Sequence, residues 1–315
     1  MARGTSSGGY RAAIRSLLKP LIVRYPSVFS ESAIYVLLFS AAAVSIFVTL
    51  AIAFIFLSNS VVFFSFVNPL DFFLGLVWSP EIQGLYGVVP LVWGTLFIAA
   101  GAAGIGLPVG LGVAVYLHEY APGRVRDLLK PTLEILAAVP TIVYALFALL
   151  VIAPALQALF NADFFNGANA MIVIGVMIIP MVASLSEDAL SAVPRRLRDG
   201  SLALGATRLE TMGRVMIPAA LSGVLASFLL ALSRAVGETM VVLLVTGNRP
   251  EITLNLFESM ATLTTEIAAR ALGDLPVGSV EYLSIFALGT TLFIFTLTAN
   301  LISVRLRRRF REVYD

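Results

Sequence analysis

An arginine and a glutamate stand four residues apart in the run Ser233-Arg234-Ala235-Val236-Gly237-Glu238-Thr239-Met240, inside an apolar stretch long enough to cross a bilayer. Charges within such a stretch are costly and are rarely left unpaired, so they mark a site by default. On one continuous helix, residues four apart share a face. Ser227, seven residues before Arg234, falls on that face as well. Counting from Ala219 at about 1.5 Å per residue puts Arg234 about 22 Å along the helix, well inside the span. Gly237 leaves room beside the charges for a ligand or another backbone. Arg234, Glu238, Ser227 and Thr239 are therefore the first candidates for the lining of a substrate pathway. The competing reading is a structural ion pair that fixes helix packing. Thr141 and Tyr144 are weaker candidates. They follow Pro140, which can open a helix and free backbone groups toward a passage, although a packed kink would need the same proline.

Other chemistries are excluded by composition. The single histidine, His118, and the absence of cysteine leave no basis for a zinc site or a Ser-His-Asp triad. The two lysines, Lys19 and Lys130, follow no Gly-x-x-x-x-Gly pattern, so the sequence contains no P-loop. No metal and no cofactor is expected. If ATP drives this protein, another chain must bind it. Glu134, Glu187 and Asp188 fall near cytoplasmic helix ends and are expected to pair with the nearby arginines.

The elements that must carry these residues are membrane spans. Of the 315 residues, 59% are hydrophobic and 13% charged, about half the charge of a soluble domain. The first long apolar run is too extended for a signal-peptide core and reads as a retained helix. Stretches near 33–57, 88–117, 132–155, 169–190, 219–246 and 282–304 reach the length of about 20 residues that a helix needs to cross. With the N-terminus in the cytoplasm, eighteen of the 21 Lys and Arg fall on the inside, including Arg3, Arg11, Arg15, Lys19 and Arg24 at the start and Arg305 to Arg311 at the end. Only Arg249 and Arg270 fall outside. That asymmetry orients the chain and places both termini inside. The net charge of +2 belongs to this membrane-flanking pattern and does not indicate a nucleic-acid surface.

The predicted fold is an all-α integral membrane protein of about six transmembrane helices. It has a cytoplasmic segment over 1–32, a transmembrane domain over 33–305 and a basic tail over 306–315. The aromatic-rich outer segment 58–87 is expected at the membrane interface, with a loop packed on the bundle as the alternative. Residues 248–281 read as a partly helical external connection.

The segment from Pro194 to Pro218 reads as helix, break, helix. Leu197 to Leu204 can form a short helix, Gly205 suits a left-handed end, and Thr207 with Glu210 forms a capping box for the next helix. Two short helices at an angle make a knob that fits a partner's groove. This segment resembles the cytoplasmic loop of ABC importer permeases, in which Glu-Ala-Ala is followed at fixed spacing by Gly and Ile-x-Leu-Pro. Asp199, Gly200 and Ser201, then Gly205, then Val215, Ile217 and Pro218 hold the matching positions, with Asp for Glu and Gly and Ser for the two alanines. The resemblance implies that this helix–Gly–helix loop, 194–218, couples to an ATPase subunit.

From about residue 88 onward the sequence resembles a narrower family, the PstC permeases of phosphate-specific ABC importers. The resemblance rests on the Arg234–Met240 run, Val245-Thr246-Gly247-Asn248, Tyr116-Leu117-His118-Glu119-Tyr120-Ala121-Pro122, Leu133–Tyr144 and Ser186–Leu190. The sister family PstA shares Arg-x-x-Gly-Glu-Thr but continues Ala-Pro. The resemblance implies inorganic phosphate as substrate. It implies as partners a PstA-like second permease, two PstB-like ATP-binding subunits and an external PstS-like phosphate-binding protein. It also implies a location in the cytoplasmic membrane. The residue chemistry agrees. An arginine fork pairs bidentately with phosphate oxygens. A carboxylate can accept the P–OH hydrogen that sulfate lacks, or it can neutralise Arg234 when no substrate is present. A permease for sulfate or molybdate, and a membrane scaffold or sensor without transport, are the alternative readings.

Overall fold

The computed structural model describes residues 31–309. All but the last two residues of the expected cytoplasmic segment 1–32, and residues 310–315 of the expected basic tail 306–315, lie outside the described residues. The chain forms two compact units, Met1–Phe54 and Ile55–Asp315. In the first unit, the side chains from Ile34 to Leu50 are all exposed on a helix, an apolar surface of the kind that lipid covers.

That helix, α1, is assigned over Glu31–Phe66. The sequence expectation ended it at residue 57, where Ser58, Asn59 and Ser60 interrupt the apolar run. The structure continues because these side chains donate back to helix carbonyls: Ser58 and Asn59 to Ile55, and Ser60 to Phe56 at 2.7 Å. Their polar groups are satisfied within the helix and no break is needed.

Short elements follow: α2 (Pro69–Leu74), β1 (Trp78–Ser79), α3 (Pro80–Gln83) and β2 (Leu85–Tyr86). The two strands pair antiparallel, Trp78 opposite Tyr86. Phe63, Phe72, Trp78 and Tyr86 are buried together with Leu91, Leu263 and Leu288. These side chains follow the alternative reading of 58–87, a segment packed on the bundle, whereas Phe66 and Phe73 remain exposed. Edge-to-face aromatic contacts, such as Phe63–Tyr86 at 5.4 Å between centroids, hold the segment down.

The bundle itself begins with α4 (Val89–Tyr120), whose last turn, Tyr116–Tyr120, is π-helical. Next come α5 (Gly123–Ala137), α6 (Thr141–Phe160) and α7 (Gly167–Ser191). α4 and α7 pack closely through small residues. A Cβ on Gly106 would lie 2.6 Å from the Gly175 carbonyl oxygen, and one on Gly110 would lie 2.6 Å from Val182 Cβ.

The third span differs from the expected 132–155. Pro140 lacks an amide hydrogen and, as N-cap, holds extended backbone (ψ 134°), so the helix restarts at Thr141. Residues 123–137 instead form the separate, amphipathic α5, which buries none of its side chains.

The chain then forms α8 (Arg195–Ala203) and α9 (Arg208–Ala219), and turns by 77° into α10 (Leu221–Val236). α11 (Met240–Val245), α12 (Leu263–Leu272) and α13 (Val280–Arg309) complete the fold. Five helices among the described residues are long and apolar enough to cross a membrane, or six if the bent α9–α10 pair is one span. The connection after α11 folds inward. Residues from Met260 to Glu266 are all buried, and the Leu263 amide donates to Thr95 on α4 at 3.0 Å.

Candidate functional site

The expected fifth span, 219–246, is not one helix. It breaks at Gly237–Thr239, between α10 and α11. Gly237 is a poor helix former, and Glu238 supplies the cap that starts α11. Its Oε1 accepts from the amides of Thr239 and Met240 at 3.1 Å and of Val241 at 3.2 Å. No further bond to the carboxylate is formed by the described residues, so Oε2 stays free. The residue as a whole is 8% exposed. The Glu238 carbonyl accepts from the Thr264 hydroxyl on α12 at 2.9 Å, and the Thr239 hydroxyl donates to the Gly237 carbonyl.

Arg234 lies in the last turn of α10 and is half-buried. A cation there is favoured by the partial negative charge of the helix end. The expectation that Arg234 and Glu238 share one helical face is corrected, because the chain leaves the helix between them. Among the described residues Arg234 has no ion-pair partner, so the competing structural-pair reading finds no contact.

Of the other pathway candidates, Ser227 and Tyr144 have partners of their own. Ser227 is buried, exchanges a hydrogen bond of 2.7 Å with Ser186 on α7 and donates to Val224. Its hydroxyl joins two helices. Tyr144 donates to the Leu136 carbonyl at 3.0 Å across the α5–α6 break. Thr141 opens α6 and is half-buried.

The segment 194–218 has the local structure that its residues predict. α8 ends beside Gly205, whose φ of +90° is the left-handed region that glycine tolerates. Thr207 caps α9 in a capping box with Glu210. Asp199 and Gly200 are exposed, and Ser201 hydrogen-bonds Thr211 at 3.0 Å. Leu204 is 91% and Leu209 70% exposed at the turn. Behind them Met212 and Met216 are buried against Ala114, Leu190 and Val193, and Ile217 and Pro218 lead into the bend.

An ion-pair network surrounds the base of this segment, and only part of it was anticipated. Glu187, fully buried, is paired with Arg126 and with Lys130 (2.7 Å), and Lys130 also pairs with Asp188 (2.5 Å). Hydrogen bonds to Asp188 and then Glu187 push the Lys130 ammonium above the ordinary lysine value. Glu134, by contrast, makes no ion pair among the described residues. Sequence reasoning missed Glu119. Its carboxylate, 2% exposed, accepts both Nε (2.8 Å) and Nη2 (2.7 Å) of Arg198. The signal was available in outline: an acid ending one span and a basic helix predicted at the same side of the membrane.

A second cluster sits at the opposite end of the bundle. Trp78 donates to Glu266 Oε1 at 2.7 Å, and Arg270 donates to the same oxygen at 2.6 Å. The Arg270 guanidinium also lies 5.4 Å from the Trp78 ring. This fastens β1 to α12.

The all-helical fold is similar to that of solved ABC importer structures. Over 96% of the chain and 98% of its counterpart, the fold superposes with a TM-score of 0.58 on a bacterial ABC transporter involved in import of the acidic polysaccharide alginate, at 13% identity. At the sequence level, residues 106–312 match the family described as "Binding-protein-dependent transport system inner membrane component". The chain belongs to this family and is the multi-pass inner-membrane permease component of an ABC transporter, not its ATPase. A probable ABC transporter permease protein YqgH of Bacillus subtilis is 34% identical over 245 residues, covering 76% of this chain and 79% of that protein. The phosphate transport system permease protein PstC of Haemophilus influenzae is 32% identical over 253 residues, covering 74% and 79%.

Proposed function

We propose that this chain is a permease subunit through which inorganic phosphate enters the cell, and that it forms the pathway with a second, PstA-like permease. The observation that carries this reading is the break at Gly237–Thr239, which leaves Glu238 with one free carboxylate oxygen, while Arg234, in the last turn before the break, has no ion-pair partner among the described residues. Phosphate at neutral pH keeps at least one hydrogen. The Arg234 fork binds two of its oxygens, and Glu238 Oε2 accepts the P–OH hydrogen while Oε1 holds the start of α11. Sulfate has no hydrogen to offer and meets the carboxylate as a like charge. The likeness to PstC supports phosphate as the oxyanion.

The same reading assigns the remaining sites and partners. The 194–218 loop faces the cytoplasm and docks on one of two ATP-binding subunits. The exposed Leu204 and Leu209 at its turn support this, because two large apolar side chains on a polar knob suit a partner's groove. Asp199, Gly200, Ser201, Gly205, Ile217 and Pro218 shape the knob. Both termini are cytoplasmic, and an external phosphate-binding protein delivers substrate to the opposite end. Ser227, Thr141, Tyr144 and Thr239 flank the pathway and support its helices.

The test is ATP hydrolysis by the reconstituted assembly with its binding protein, with phosphate and sulfate compared side by side. Stimulation by phosphate alone is expected. Equal stimulation by sulfate, or stimulation by sulfate alone, would make the chain a permease for a different oxyanion. Stimulation by neither would remove the oxyanion reading.

A further inference from the structure

The pair formed by Glu119 and Arg198 has a geometry that a docking knob by itself does not need. Arg198 lies at the centre of α8, the first helix of the 194–218 loop. Glu119 lies in the π-helical last turn of α4, at the end of a membrane span. The guanidinium meets the carboxylate at two points, 2.7 and 2.8 Å. Two parallel bonds fix direction as well as distance. Arg208 of α9 approaches the same carboxylate at 3.9 Å.

No side chain of α8 is fully buried, although Leu202 is half-buried, and the ion pair with Glu119 joins this helix to α4. Glu119 is almost wholly enclosed, and a buried carboxylate stripped of its partner is heavily penalised. The pair therefore resists opening, and α8 cannot shift without taking the end of α4 with it. The next residue extends the connection. His118 Nδ1 lies 3.2 Å from Ser191 Oγ, and Ser191 donates to Glu187, the buried acid of α7 that holds Arg126 and Lys130 of α5.

We infer that Glu119 and Arg198 are positioning residues, the rigid link by which movement of the 194–218 loop reaches the transmembrane helices. The inference rests on the proposed docking of that loop on the ATPase. Neither residue touches substrate. Loss of the link should leave ATP hydrolysis running while transport fails to follow.

The experiment uses the complete transporter in proteoliposomes, with phosphate uptake and ATP hydrolysis measured on the same samples. Glu119→Gln and Arg198→Gln should each lower phosphate moved per ATP by at least about fivefold, the size of a typical coupling free energy. The reversed pair, Glu119→Arg with Arg198→Glu, should recover part of that loss. Arg198→Lys keeps the charge facing Glu119, and so keeps assembly, but gives up the two-point geometry. It should lower the ratio by a smaller factor. A wild-type ratio in Arg198→Lys together with either Gln variant overturns the link, and so does a reversed pair no better than the single variants.

Docking is tested separately. The chain has no cysteine, so Leu204→Cys provides a unique attachment point at the tip of the loop. If it crosslinks to the ATPase while the Gln and Lys variants keep a wild-type ratio, docking stands and the link falls. If it fails to crosslink, docking itself falls.

Discussion

The Thr264 hydroxyl donates to the main-chain carbonyl of Glu238 at 2.9 Å. This bond ties the first turn of the inward-folded α12 to the break in the fifth span. Where the helix is interrupted, backbone groups need partners from elsewhere, because hydrocarbon supplies none. Thr264→Val keeps the shape and removes the donor. An unsatisfied buried carbonyl should lower stability by about 1–3 kcal/mol, read as a lower melting temperature of the purified protein. Thr264→Ser should stay near wild type. Equal melting of the Val variant and wild type would show that the bond contributes nothing.

Arg234→Lys tests the anion fork. Charge is preserved and the planar, two-point geometry is lost. Phosphate uptake per assembled transporter should fall by at least about tenfold, equivalent to about 1.4 kcal/mol. Uptake at the wild-type level would place the functional site elsewhere, with Thr141 and Tyr144 the next residues to test.

Glu238→Gln separates the two oxygens of one side chain. The amide's carbonyl oxygen can still accept from the three α11 amides, so the helix start should survive. Its NH2 group cannot accept a hydrogen from phosphate. The expected result is assembled protein with slower phosphate uptake and weakened exclusion of sulfate, measured by competition. Slower uptake with sulfate exclusion unchanged would contradict a role in reading the phosphate hydrogen.

Gly205→Glu should uncouple ATP hydrolysis from transport. The φ of +90° costs a side-chain-bearing residue about 1–2 kcal/mol, and the added charge sits beside Leu204 on the docking knob. Gly205→Asn tolerates positive φ better and adds no charge, so it should retain most of the coupling. Loss of coupling in neither variant would remove the turn from the docking surface.

Lys130 gives a pH signature. Its folded-state value is raised by the bonds to Asp188 and Glu187. The stabilisation is therefore complete below the ordinary lysine value of 10.5 and is lost as pH rises through the higher folded value. Lys130→Arg stays charged over that range. Melting temperature plotted against pH should fall more steeply for wild type than for the Arg variant above about pH 10.5, and parallel curves would deny the contribution.

Long apolar elements were legible in the sequence. The stretch 169–190 is Gly167–Ser191 in the structure, since a long run of high hydropathy defines such a helix. The helix, Gly205 turn and capping box of 194–211 were also legible, because those signals are local. The interruptions were not. The break at Gly237–Thr239 is hidden because the residues on either side keep the average hydropathy high, and the capping role of Glu238 depends on a side chain curling onto its own backbone. α1 was read too short for the reverse reason, as its polar residues bond back to the helix they seemed to end. The Arg198–Glu119 pair spans 79 residues, and no local pattern joins such positions. Arg234 and Glu238 were singled out by their charge inside a span, by their spacing and by the resemblance of the run that holds them, but the spacing misled, because the helix stops between them.

The glycine contacts between α4 and α7 bear on how such a bundle can move. Where Gly106 meets Gly175 and Gly110 meets Val182, the side chains between the helices are those of Ile178, Ile105 and Val182, which are branched at Cβ and have few rotamers with which to take up a displacement. Packed interfaces of this kind switch between discrete arrangements and do not deform continuously. The two helices behave as a single stiff strut. Any alternation of access must then be taken up at joints: the bend between Ala219 and Leu221, the gap before Thr141 and the break at Gly237–Thr239. Stiffness in one pair of helices assigns the hinges of the whole bundle to three short stretches of chain.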